Sequence, residues 1–455
     1  MKITVDSQKT VRKWPRVEAY QNTTLRYTPP PDFAAYSASV IGKPKILRCW
    51  ITLDEVWDNR TDEYFWDYQI GVNRYENDPG HYFYDWLVSV PSETKFIDYL
   101  RTNSAQAEEI LLCFRRYERE VTDGIISYEK YEKVLEKVLE HYKKLFPNIR
   151  YIECCNESEL SVFGGLTIPE YYRIYKCASR VVKKLNKKHH YQMPLELGGT
   201  AMSGLVGRWN QWSEFLTTLA EDEPEERDIS FYSVHDYAKN VYRLMDFYVM
   251  HKQLVKRLGL PDVPLFIDEY GTTGYWHNQF GEGADENMKN ASGIINAMIL
   301  GSYLDGAYIF PWCTFHDPVR QVNYTQFIKT EDGSYVPTPN GNAVTALHMM
   351  LENELMIEEY TEHKAVATGG GGKVALLVTN PGDAPLNIDV TVNGLSGYTA
   401  GMAQYLVNGI SNNNLTGEQT KSFDPVVKSL EKVIKGRLNF KADIEPHAFS
   451  LWIIG

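Results

Sequence analysis

The chain of 455 residues lacks most of the features that would assign it at a glance. No Gly-x-Gly-x-x-Gly or Walker-type loop follows its first strand-like run, which removes the usual nucleotide-binding signatures. The Gly369-Gly370-Gly371-Gly372 run comes late, in a linker or hairpin, with no helix after it to hold a phosphate. Its six cysteines, at 49, 113, 154, 155, 177 and 313, have neither zinc-type spacing nor the density of a disulfide scaffold. Clustered positive charge is missing: a net charge of −12 argues against nucleic acid or a membrane surface as a partner. No stretch is long enough to span a bilayer, and Met1-Lys2-Ile3-Thr4-Val5-Asp6 has no apolar signal core. Internal repeats and low-complexity tracts are absent.

These absences leave a folded globular protein, as the 43% hydrophobic and 23% charged fractions require. The length suits one large α/β domain with a smaller module. Aromatics are plentiful, at 13% with 31 Tyr and 10 Trp. Such rings stack on sugars, but in a large fold most of them are core. Four of the cysteines lie in apolar strand-like runs, so buried reduced thiols are expected. Adjacent on a strand, Cys154 and Cys155 should point to opposite faces. The expected compartment is the cytoplasm, or the periplasm or exterior if a signal has been removed. Self-association is left open.

From about residue 45 to 350, strand-like runs alternate with amphipathic helices. The runs are Ile46–Ile51, Ile110–Phe114, Ile149–Cys155, Met193–Leu197, Ile229–Val234, Pro264–Asp268 and Ala307–Pro311. An eighth is sought between 64 and 88, where Tyr and Trp are scattered without clean periodicity. Helices are expected over Ser127–Leu145, Pro169–Leu185 and Tyr242–Leu258, the last stopped by Gly259. Apolar strands separated by helices imply a parallel sheet covered on both faces. About eight such units fit a (β/α)8 TIM barrel, which typically runs to about 250 residues. After residue 355 short strands and turns take over, giving an antiparallel β-sandwich module. The expected division is 31–354 for the barrel and 355–455 for the module, with strands from 1–30 packing on the module.

Two glutamates stand out against this plan. Glu157 ends the run from Ile149, and Glu269 ends the run from Val263. On the strand count these are strands four and seven, whose C-terminal ends open into one bowl. Two facing carboxylates are what glycoside hydrolysis needs, and about 5–5.5 Å between them would give retention of configuration. Other residues fall on the same rim. Asn156 suits the sugar hydroxyl beside the anomeric carbon. His235 could line the bowl, Tyr237 could donate to the nucleophile carboxylate, and Trp312 could floor the sugar ring. Deeper on strand four, Glu153 needs a cation, and Arg48 on strand one is the natural candidate. Each of these residues alone has an ordinary structural reading. Their co-occurrence carries the functional one.

Glu153-Cys154-Cys155-Asn156-Glu157 resembles the Glu-x-Trp-Asn-Glu-Pro motif of retaining (β/α)8 glycoside hydrolases of clan A. Phe266-Ile267-Asp268-Glu269-Tyr270 resembles that clan's nucleophile motif. The glutamate spacing, the His-x-Tyr of strand six and the closing β-module are most similar to family 39, the β-xylosidase and α-L-iduronidase group. The likeness spans most of the chain and implies Glu157 as acid/base, Glu269 as nucleophile and Asn156 as the hydroxyl partner. It departs at three places: Cys155 for the usual Trp, Ser158 for the usual Pro, and Trp50 where a His is expected after Arg48. The expectation is an exo-acting hydrolase of β-xyloside-like plant or bacterial glycans, taking an oligo- or polysaccharide and needing no cofactor or metal. Rival expectations are an endo-acting clan A hydrolase and a non-catalytic carbohydrate-binding barrel.

Overall fold

A computed structural model describes residues 1–24, 31–70, 94–272, 282–316, 322–358, 362–416, 420 and 422–455. Eight parallel strands form one sheet, in chain order Tyr20–Asn22, Ile46–Thr52, Glu109–Arg115, Ile149–Cys154, Glu196–Ser203, Phe231–Tyr237, Leu265–Gly271 and Ala307–Pro311. Spatial order follows chain order, and the two ends meet. The Tyr20 ring lies 4.5 Å from that of Tyr308, and the Thr314 N–H donates to the Asn22 carbonyl at 2.9 Å. The sheet is thus the expected barrel.

Its eighth member is not the one sought between 64 and 88. Tyr20–Asn22 fills that place, a strand of three residues and too short to show any period. Glu63–Tyr64 instead pairs with Trp57–Asp58 in a two-stranded ribbon, and residues 71–93 lie outside the described residues. Arg48 therefore stands on the second strand, while strands four and seven keep their numbers. The fifth strand begins and ends later than expected. Gly198 and Gly199 disguise it in the sequence, yet both sit where a side chain would crowd a neighbour. A Cβ on Gly198 would meet the Phe231 carbonyl, and one on Gly199 the Tyr171 hydroxyl.

The helices follow their signals. The Ser127 hydroxyl accepts from the Lys130 N–H to open Tyr128–Leu145, whose Val134, Leu135, Val138 and Leu139 are buried. Thr167 and Glu170 form a reciprocal capping box for Ile168–His189. No helix among the described residues is long and apolar enough to cross a membrane.

The barrel interior is layered. Near the strand N-termini Phe231 stacks on Phe266 at 4.8 Å, and Tyr151 meets Phe266 edge-on at 5.5 Å. Two residues further along the same strands come Glu153, Ser233 and Asp268, all fully buried. An aromatic plug thus supports a polar layer, and the candidate site sits on that layer.

A second sheet of nine strands runs in the order Val427–Lys432, Thr399–Val407, Phe449–Ile454, Lys373–Thr379, Ala365–Gly370, Asn353–Glu358, Lys2–Lys13, Leu386–Asn393, Arg437–Ile444. It is antiparallel except where Lys2–Asp6 runs parallel to Asp389–Asn393. Phe440 and Trp452 come from strands far apart in that order, yet their rings lie 5.4 Å apart. The sheet therefore curls on itself as a sandwich around Ile3, Val5, Leu376, Val390 and Trp452. Its other face supplies Leu377, Phe449 and Leu451 to the barrel core.

All six cysteines are buried and free. Cys154 and Cys155 do not point apart as expected. The strand ends at Cys154, Cys155 takes φ 62°, and the two sulfurs lie 3.5 Å from each other.

Candidate active site

The left-handed turn at Cys155 also re-aims the residues after it. Glu157 has φ 44°, and its N–H donates to the Ala201 carbonyl at 3.0 Å, which tilts its side chain over the barrel mouth. On strand seven a different device acts. The pairing with strand six slips between Ile267 and Glu269, so that Glu269 stands opposite His235. Alternation would have sent Asp268 and Glu269 to opposite faces; the bulge lets both face inward.

One cation serves this layer. The Arg48 guanidinium donates to Glu153 Oε2 at 2.6 and 2.8 Å, to Glu269 Oε1 at 2.8 Å and to Asn156 Oδ1 at 2.9 Å. Its Nε lies 3.5 Å from Asp268 Oδ2. Three carboxyl groups thus share one fixed positive charge. Burial alone would push Glu153 up, but Arg48 holds it down at about 2. Burial and the charge on Glu153 push Asp268 well above the usual carboxyl range. That burial beside a charged neighbour favours the neutral form of Asp268. Asp268→Asn, a neutral side chain of the same shape, should therefore leave thermal stability and kcat/KM close to those of the parent. Glu153→Leu takes away the oxygen that accepts two Arg48 N–H bonds, leaves those buried donors unpaired, and should cost about 3–5 kcal/mol in denaturant unfolding.

Above this layer the two leading carboxylates differ in surroundings. Glu269 Oε2 accepts from the Tyr237 hydroxyl at 2.7 Å while Arg48 donates to Oε1 at 2.8 Å, so both oxygens are held by donors. Burial and the Glu269 charge keep Tyr237 protonated, its hydroxyl pushed well above the ordinary value. Glu157 has no such clamp. Its Oε1 lies 2.8 Å from His235 Nδ1, and burial raises it to about 7 against the opposing charges of Arg48, Arg208 and Arg115. His235 is itself kept below its ordinary value by burial. Its Nδ1 stands 3.6 Å from Glu269 Oε2, so the ring bridges the two glutamates.

The structure thus brings Glu157, Glu269, Asn156, His235 and Tyr237 into one network. Trp312 stands at the end of strand eight as expected, but its contacts are aromatic. It is 6% exposed and meets Trp50 edge-on at 5.9 Å. Trp50 in turn lies under the Arg48 guanidinium, 4.3 Å from ring centre to Cζ. Sequence reasoning matched Arg48 to Glu153 and missed its bonds to Glu269 and Asn156. A lone arginine in an otherwise apolar strand was the available signal. Glu157, His235 and Glu269 are the one set of three potential metal ligands among the described residues, with donor atoms within 4.8 Å of one another. Arg48 already supplies positive charge to one of the carboxylates there.

No protein-family model matches the chain. Solved structures do. A family 39 glycoside hydrolase from Xanthomonas axonopodis pv. citri superposes with a TM-score of 0.70 at 12% identity, covering 100% of this chain and 97% of that one. A monomeric β-xylosidase from Caulobacter crescentus CB15 gives 0.69 at 13% identity, covering 100% and 99%. A family 30 endoxylanase from Clostridium papyrosolvens C71 gives 0.57 at 13%, covering 100% and 99%. Over its whole length the chain has the fold of the clan A glycoside hydrolases, most similar to that of family 39.

Proposed function

We propose that the protein is a retaining O-glycoside hydrolase, exo-acting on β-xyloside-like glycans, with Glu157 as acid/base and Glu269 as nucleophile. One observation carries the reading. An oxygen of each carboxylate lies within 4.8 Å of the other at the barrel mouth. Retaining enzymes hold their carboxyl groups about 5–5.5 Å apart, inverting ones about 6.5–9.5 Å. The contrast in environment supports the division of roles, since the acid must rest protonated and the nucleophile ionised. The β-xylosidase among the similar structures supports xylosides as the first substrates to try.

In this scheme Glu157 gives its proton to the leaving oxygen as Glu269 attacks the anomeric carbon. Arg48 and Tyr237 orient the nucleophile and let go of its charge as the glycosyl ester forms. Asn156, fixed through its carbonyl oxygen by Arg48, turns its amide nitrogen towards the neighbouring sugar hydroxyl. Glu157, now a carboxylate beside His235, takes a proton from water, which displaces the sugar from Glu269 with a second inversion.

Activated 2-fluoro glycosides of xylose, arabinose, glucose, galactose and uronic acids test the scheme. Intact mass should rise by one fluoroglycosyl unit, and peptide mapping should place it on Glu269. No adduct with any of these sugars would favour a non-catalytic carbohydrate-binding barrel. The rate should also carry the signature of Glu157. Because the acid must be protonated, kcat/KM should fall as pH rises through about 7. A pH–rate profile on a xyloside that is turned over reads that limb directly.

A further inference from the structure

Apolar side chains left on the outside gather on one flank of the protein. The helix after strand six, Tyr242–Leu258, buries Leu244, Phe247 and Leu254 against the barrel. Its opposite face presents Tyr242, Met245 and Val249, which are 39%, 37% and 45% exposed. Places i, i+3 and i+7 of a helix share one stripe, and this one points away from the core. Tyr242 joins the stripe to the surface beside it. Its hydroxyl donates to the Glu362 carbonyl at 3.3 Å, and its ring meets that of His363 edge-on at 6.2 Å. His363 meets the exposed Tyr303 at 5.5 Å, and both line a groove with Val11 and Met356, also exposed. Single exposed apolar residues are ordinary on a protein surface, whereas a contiguous set of them marks a place where something binds.

Charge along the same helix says what that partner is. Its ion pairs, Arg243 with Asp236 and Lys252 with Asp262, leave three exposed charges without a counter-charge among the described residues. Asp246 lies in the N-terminal half, and Lys256 and Arg257 close the C-terminal half. A wholly basic or wholly acidic partner would suit one end of the stripe and be repelled by the other. The stripe's own reverse suits both. A two-fold axis at Val249 lays a second copy of the helix antiparallel to the first, so that each Asp246 approaches the basic end of the other copy. Lys256 is as far beyond Val249 as Tyr242 is before it, so the two come opposite each other, a cation against a ring. The helix dipoles are also opposed in that arrangement. We infer that this flank is the self-complementary interface of a homodimer, with helices Tyr242–Leu258 of two identical chains packed antiparallel at its centre. The inference does not depend on what the active site does.

Sedimentation velocity on the full chain tests it. The parent should run as a dimer at roughly 10 μM. Its dissociation constant should rise between about 20 and about 500 mM salt, since exposed charges contribute. Val249→Glu sets two carboxylates face to face at the axis and should give a monomer with the parent's circular dichroism. Asp246→Lys makes all three free charges positive, and Lys256→Glu with Arg257→Glu makes all three negative. Each of these variants alone should associate about 10- to 100-fold more weakly than the parent, and an equal mixture of the two should recover the dimer. Should a variant fail to fold, a zero-length carbodiimide cross-link in the parent still decides the matter. It should join Asp246 to Lys256 between chains, because the two stand about 15 Å apart along one helix and cannot be joined within it. A parent that stays monomeric up to roughly 100 μM would overturn the inference. So would a dimer that survives Val249→Glu, charge variants that do not recover on mixing, or a parent dimer without that cross-link.

Discussion

Glu269→Ala should abolish turnover, lowering kcat by roughly 10⁴- to 10⁶-fold, the scale seen when a nucleophile that works within a unit is removed. The fold should survive, for reasons visible in the polar layer. Arg48 keeps Glu153 and Asn156 as partners, and the set loses one of three carboxyl groups crowded around a single cation. Far-UV circular dichroism and thermal unfolding should therefore stay near those of the parent. The vacated space lies between the Arg48 guanidinium and the Tyr237 hydroxyl, two donors left without their acceptor. A small anion such as azide should enter there and restore part of the rate on an activated glycoside. The product should then be a glycosyl azide of inverted configuration, readable by proton NMR. Full activity in this variant would end the assignment of Glu269 as nucleophile.

Glu157→Ala should divide substrates by their leaving groups. General acid assistance contributes about 10²- to 10⁴-fold where the departing oxygen is a poor leaving group. A disaccharide should lose that much, while a dinitrophenyl glycoside, which departs without a proton, should lose little in its first step. The fall of kcat/KM through about pH 7 should disappear with the carboxyl group. Steady-state rates on a series of aryl glycosides give the slope against leaving-group acidity, which should be far steeper in the variant than in the parent. An equal loss on all leaving groups would instead make Glu157 a structural residue.

Particular residues explain why the chemistry was more legible than the geometry. A carboxylate closing an apolar run can be read from order alone, so Glu157 and Glu269 were visible, as were His235 and Tyr237 two apart on strand six. The slip at Ile267–Glu269 was not, because a bulge is a disagreement between two strands and neither sequence contains it. Without it nothing marks Asp268 as an inward-facing neighbour of Glu153. Cys155 was read as a continuation of its strand for the same reason, since its left-handed φ is set by the turn and not by the thiol. Tyr20–Asn22 is a strand by virtue of Ile46–Arg48 beside it and the aromatic contacts that close the ring.

The place of Lys2–Lys13 in the middle of the nine-stranded sheet bears on how the molecule is made. Its partners, Asn353–Glu358 and Leu386–Asn393, lie on the far side of the whole barrel in the chain. At translation rates of ~5–20 residues per second the strand waits roughly 20–80 s for its second neighbour. Throughout that interval Ile3 and Val5, fully buried in the finished sheet, have nothing to pack on, and both edges of the strand are open. A ribosome-bound chain stalled just short of residue 353 should thus carry a completed barrel with a sticky leading ribbon. In the cell, the leading ribbon would be open to aggregation through the first three quarters of synthesis, until the partners from residue 353 onward are made.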